Sequence, residues 1–197
     1  MRNTFLPALA MLALLAGPLS GPARAQEYSP EVLDQQVQAA ETLAQDGKFD
    51  EALDALRVAT TSLWEAAPLS FRRALWVEAT PGGWGVYTPR SDATYNSGED
   101  MIAYAEPVGF SWRPSGDQWV LEWAADMVIK AKDGTELQRV NDFQQLKVVS
   151  HERNQEVFAS FTYTLTHIPS GEYVLDTVLR DKGSDKTATF SLPFVIR

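Results

Sequence analysis

Apolar residues recur three and four positions apart between Leu33 and Leu63, and at every second position after Pro68, so the chain predicts two helices followed by a β-rich body. Ser29 offers a capping hydroxyl, and Pro30 takes the first helical position, where no N–H is needed. Leu33, Val37, Ala40 and Ala44 carry the first helix to Gly47, a left-handed stop. Phe49, Ala52, Leu53, Leu56, Thr60 and Leu63 then share one face of a second helix, which gives a helical hairpin over residues 26–68. Its stripe of Leu33, Val37, Leu53, Leu56 and Leu63 is expected to leave water, at about 25 cal/mol per Å² of apolar area. The cover is either the rest of the chain, a second copy or a partner protein.

Residues 69–197 predict an antiparallel β-sandwich of about eight strands, so the fold class is mainly β with an N-terminal α-helical hairpin. The predicted strands are Leu75–Ala79, Trp84–Thr88, Met101–Glu106, Gln118–Lys130, Glu136–Asn141, Glu156–Leu165, Glu172–Arg180 and Lys186–Ile196. Turn chemistry such as Pro81-Gly82-Gly83, Asp133-Gly134 and Pro169-Ser170-Gly171 separates them. Alternation assigns Trp119, Leu121, Trp123, Ala125, Met127 and Ile129 to the core, with Glu122 and Asp126 on the solvated outer face. Val157 to Leu165, Tyr173 to Leu179 and Phe190 to Ile196 supply further inward sets. Pro193 lacks a ladder donor and predicts a sheet edge or a bulge.

Two segments carry family resemblances. Ala40 to Ala59, with Gly47, Phe49, Ala52 and Leu56 at their offsets, resembles one tetratricopeptide-like helical hairpin, present in a single copy. The stretch from Ile168-Pro169-Ser170-Gly171-Glu172-Tyr173 through Asp181 to Ile196 resembles the closing hairpin of immunoglobulin-like domains in secreted bacterial proteins. Upstream, Gly85-Val86-Tyr87, Pro89-Arg90, Tyr95, Gly98-Glu99, Tyr104 and Glu106-Pro107 look like a pattern of secreted bacterial sandwich domains. These likenesses imply an immunoglobulin-like sandwich and bring no activity with them.

The N-terminus changes the expected compartment. A basic start at Arg2, an apolar run from Phe5 to Ala16 and the small-residue end Ala23-Arg24-Ala25 have the form of a signal peptide over residues 1–25. A mature chain from Gln26 is therefore expected in the periplasm or outside the cell. The sequence has 17 basic and 26 acidic residues, a net charge of −9. Loss of Arg2 and Arg24 leaves 15 against 26, or −11. That field repels nucleic acid and anionic lipid. The apolar stretch from Trp119 to Ile129 is interrupted by Glu122 and Asp126, so no membrane insertion is expected.

Candidate chemistry is sparse. The sequence holds no Cys, only His151 and His167, and no Gly-x-Ser-x-Gly after the leader, so neither a nucleophilic triad nor a zinc-type site is expected, and no cofactor. The loop Asp181-Lys182-Gly183-Ser184-Asp185 reads as a hairpin turn, with calcium as the other possibility. Glu99, Asp100, Glu106, Glu122 and Asp126 are the carboxylates near aromatics that a glycosidase would draw on. Trp112 beside Arg113 lies in a loop-like segment, and Tyr87, Arg90 and Tyr95 flank another, so these five are the candidate ligand-binding residues. The expected function is a non-catalytic interaction or binding module, monomeric or homodimeric, for an envelope protein partner. The alternative is a carbohydrate-binding or carbohydrate-active protein.

Overall fold

The computed structural model describes residues 29–197; the leader expected at 1–25 lies outside the described residues. Helix α1 (Pro30–Gln45) starts where Ser29 Oγ accepts from the Val32 N–H, and it stops at Gly47, whose φ of +75° closes the turn. Helix α2 (Phe49–Ala66) returns antiparallel. Ala40, Ala52 and Ala59 are buried between the helices, since side chains this small let the backbones approach closely. No described helix is long and apolar enough to cross a membrane.

Nine strands follow: β1 (Ser70–Val77), β2 (Thr94–Tyr95), β3 (Asp100–Val108), β4 (Arg113–Ser115), β5 (Gln118–Ala131), β6 (Glu136–Ser150), β7 (Ala159–Thr164), β8 (Gly171–Asp181) and β9 (Thr187–Ile196). They form a three-stranded sheet, β1-β3-β7, and a six-stranded sheet, β2-β9-β8-β5-β4 with β6 on the far edge of β5. All pairings are antiparallel except the short β2–β9 contact. Leu121, Trp123, Ala125 and Ile129 of β5, Phe161 and Tyr163 of β7, and Phe190, Phe194 and Ile196 of β9 fill the space between the sheets. Their alternation is the one the sequence predicts. Pro193 lies on the side of β9 that has only β2 for a neighbour, and its carbonyl accepts from Trp76 Nε1 at 2.9 Å.

Three expectations are corrected. Trp84–Thr88 is no strand: Gly85, at φ +71°, turns the chain, and Gly82 and Val86 close a tight loop across the outer face of β3. Strand β6 runs nine residues beyond Asn141, because residues 141–143 bulge opposite Asp126, with Asp142 at φ +52°, and pairing then resumes from Gln144. Asp126 is buried, at 8% exposure, rather than solvated. Its Oδ1 accepts from the Asp142 N–H and from Arg180 Nη2, both at 2.8 Å, and Arg180 Nη2 also reaches Asp142 Oδ1 at 2.6 Å. The buried carboxylate therefore holds the bulge.

Burial opposes ionisation of Asp126, but the Asp142 N–H and Arg180 outweigh it and keep the carboxyl below the usual aspartate range. A depressed folded pKa contributes stability that is present above the unfolded pKa and lost as pH falls through the folded one. Asp126→Asn is expected to cost about 2 kcal/mol at pH 7, the scale of hydrogen bonds to a charged group. Urea unfolding at pH 7 and near pH 3 checks this: the deficit shrinks in acid, and an equal deficit at both values refutes the assignment.

Candidate functional site

Among the described residues, the hydrogen bonds, ion pair and ring contact that tie the helices to the sandwich come from the last turn of α2. Trp64 Nε1 donates to the Phe110 carbonyl at 3.0 Å, and the two rings meet edge-on at 5.1 Å. Arg153 pairs with Glu65 at 2.8 Å. Lys186 Nζ donates to the Glu65 and Gly109 carbonyls at 2.7 and 2.8 Å, and burial pulls its pKa down. Above this base an open cleft separates α2 from the body. Val37, Leu53, Leu56 and Leu63 remain exposed, so of the expected covers the rest of the described chain is not the one; Leu33 is half-buried.

An open cleft of about 1140 Å³ lies between α2 and the segment 152–156. Leu53, Leu56 and Thr60 form one wall; Trp119, Arg153 and Glu156 line the other. Trp119 is half-buried rather than part of the core, with the Arg153 guanidinium 4.9 Å from its ring centre. A smaller pocket of about 120 Å³ adjoins the base of α2 and shares Gln155 and Glu156 with the cleft. Trp64, Trp84, Arg72 and Glu106 complete its lining. Glu106, on the outer face of β3, is 6% exposed and accepts from the Tyr104 hydroxyl at 3.0 Å. Burial pushes the Tyr104 phenol up to about 12, so it stays a donor through the neutral range.

The five residues expected to bind a ligand do not converge. Trp112 is half-buried, packs against Phe110 and donates Nε1 to the Asn154 carbonyl at 2.9 Å, pinning the segment 151–156. Arg113 pairs with Glu122. Arg90 lies 4.1 Å over the Tyr95 ring and bonds the Thr94 carbonyl and Glu99. Tyr95 is buried in the core, and burial raises its phenol to about 12 despite Arg90, so it offers no ligand surface. Tyr87 covers Tyr104 at 4.2 Å. The Trp112 group sits at the Asp181 end of β8 and Tyr95 at the Gly171 end, ten residues away, or roughly 30 Å at strand rise.

The carboxylates are likewise dispersed. Glu99 accepts from the Asn96 N–H and from Arg90, which hold its pKa below the glutamate range. Asp100 takes the Thr164 hydroxyl, and Glu122 faces Arg113 and Lys147. In the loop from Asp181 to Asp185, the Asp181 carboxylate accepts from the Ser111 and Gly183 N–H groups and the Ser184 hydroxyl, as a hairpin turn requires. Among the described residues no group of three His, Asp or Glu side chains could hold a metal ion. His151 neighbours Gln118, and His167 occupies a turn at φ +61°.

Reading strands by period two alone misses the cleft, because Trp119 falls on the inward set yet lines the cleft at the start of β5. Trp64 has a signal, an aromatic one turn before the helix stops, and Arg153 has none beyond its position in a polar loop.

No protein-family model matches this chain, and no curated protein does. Among solved structures it is similar to the Pseudomonas fluorescens alkylpurine DNA glycosylase AlkC, at 11% identity and a TM-score of 0.36 over 71% of this chain and 32% of that one. The C-terminal domain of Wzt gives 13% identity and a TM-score of 0.36 over 68% and 76%. CopC from Methylosinus trichosporium OB3b gives 10% and 0.29 over 63% and 93%. The chain thus spans about a third of the glycosylase's length.

Proposed function

We propose that the protein is a non-catalytic interaction module of the periplasm or extracellular space, whose helical hairpin receives a cationic amphipathic segment of an envelope protein. One observation carries the reading: the hairpin leaves Val37, Phe49, Leu53, Leu56 and Leu63 in water, Phe49 at 65% and Leu53 at 51% exposure. Contiguous apolar surface of this kind marks interaction sites in soluble proteins. The signal-like N-terminus supports the compartment.

Charge selects the occupant. Residues 29–66 carry eight carboxylates against Lys48 and Arg57, a net of −6, while the longer stretch 67–197 carries 17 against 13, a net of −4. Lys48 and Arg57 already face Asp46 and Asp54. A second copy would meet its own negative field, whereas Lys or Arg beside an apolar helix face complements it.

The test is titration with two synthetic 18-residue amphipathic peptides of identical apolar spacing, one Lys-flanked and one Glu-flanked. The Lys peptide is expected to bind at least tenfold more tightly, about 1.4 kcal/mol, and to lose at least that on Leu53→Glu/Leu56→Glu. The double variant keeps its melting point, because both side chains already stand in water. Equal binding of the two peptides, a dimer abolished by the same variant, or a fall of several degrees in melting point overturns the proposal.

A further inference from the structure

The pocket beside the base of α2 collects hydrogen-bonding groups that the protein itself does not use. Arg72 makes no ion pair among the described residues and lies 5.8 Å over the Trp84 ring. The Gln155 and Glu156 side chains make no hydrogen bond to any described residue, although both line the pocket. Glu106 is turned toward it by the Tyr104 hydroxyl, which occupies one carboxylate oxygen and leaves the other without a protein donor. Two indoles, Trp64 and Trp84, stand among these groups.

Within the lining, Glu156 and Glu106 face one guanidinium, Arg72; Arg73, outside the lining, offsets Glu106 from 3.9 Å. A cation would meet Arg72 and an anion the two carboxylates, so neither sign of charge is well matched. It suits a ligand that is neutral, donates and accepts several hydrogen bonds at once, and has an apolar face for an indole. A pyranose ring has each of these properties: its hydroxyls bond in both directions and its axial C–H groups pack on aromatic faces. The volume of about 120 Å³ displaces roughly four waters, room for the hydroxyl-bearing edge of one ring, the rest of which would lie in the adjoining cleft. The shared walls at Gln155 and Glu156 open the pocket into the larger cleft, where further rings would pass Trp119.

We infer that the pocket of Trp64, Trp84, Arg72 and Glu106 is a subsite for one ring of a neutral hexose oligosaccharide, its neighbouring rings lying in the cleft under α2. The pocket itself shares no lining residue with the apolar stripe, although Leu53 and Leu56 of the stripe wall the cleft beside it.

Saturation-transfer NMR and tryptophan quenching with cellohexaose, maltohexaose and hexa-N-acetylchitohexaose, all neutral, on the full chain, test the inference. At least one hexaose is expected to bind, at least tenfold more weakly to Trp84→Ala and to Arg72→Ala, and within threefold of wild type to Trp84→Phe. Both residues are partly or fully exposed, so unchanged melting points show that the variants fold. Val37→Glu/Phe49→Glu, at hairpin residues that line neither the pocket nor the cleft, keeps the sugar response, which separates this site from the outer hairpin surface. The inference falls if none of the three binds wild type at millimolar concentration, if binding survives both Trp84→Ala and Arg72→Ala, or if it is lost in the hairpin variant alone.

Discussion

Trp123→Ala is expected to lower the unfolding free energy by about 3–5 kcal/mol, the largest single effect in the molecule. The indole is 1% exposed at the centre of β5, edge-on to Phe110 at 5.3 Å, in register between Leu146 and Asp181. Truncation removes its apolar contacts and leaves a cavity that two hydrogen-bonded sheets cannot collapse to fill. Its Nε1 has no hydrogen-bond partner among the described residues, so a ring without that N–H loses little by comparison. Trp123→Phe is therefore expected to cost under about 1.5 kcal/mol. Chemical denaturation of the two variants against wild type decides the matter; a similar loss in both shows that the cavity argument fails.

Gly109→Ala is expected to cost about 3 kcal/mol, through the joint between hairpin and sandwich. Gly109 has φ +79°, where a side chain costs roughly 1–2 kcal/mol, and a Cβ there would stand 2.5 Å from the Pro68 carbonyl oxygen. Both sides of that collision are backbone, so relief requires the exit of α2 to move. That movement stretches the Lys186 bonds to Glu65 and Gly109, each a charge-assisted bond worth about 1.5 kcal/mol or more. Gly134 is the control: φ is +89°, yet nothing lies within 4 Å of its added Cβ, so Gly134→Ala should cost only the conformational share of about 1 kcal/mol. Equal losses at the two positions would show that the joint is not tightly closed.

Local rules carry well where both the residue and its role are set by near neighbours. Ser29, Pro30 and Gly47 bound α1 because caps and left-handed stops are properties of a few consecutive residues. The alternation of β7 and β9 follows from one face meeting the core along the whole strand. The same rule fails at Trp119, which has the correct parity but is half-buried beneath Arg153 at the start of β5, and at Asp126, whose outward position is closed over by Arg180 and the β6 bulge. The predicted strand stops at Asn141, whereas Asp126 holds the Asp142 bulge inside the ladder and pairing continues to Ser150.

The candidate site was the least legible part. Tyr87, Arg90, Tyr95, Trp112 and Arg113 were chosen for aromatic and basic character near turns, and the fold sends Trp112 and Arg113 toward one end of β8, Arg90 and Tyr95 toward the other, and Tyr87 onto Tyr104 of β3. The cleft and the pocket join α2, β3, β5 and the segment 152–156, which are distant in sequence. By itself the amino-acid order determined the helical pair, the antiparallel layers and most of the buried set, because periodicity and turn chemistry act over a few residues. Only the tertiary structure decided that the hairpin is tied to the body through the last turn of α2, that its leucines stay wet, and that Trp64, Trp84, Arg72 and Glu106 meet, because each depends on contacts between segments that no local pattern encodes.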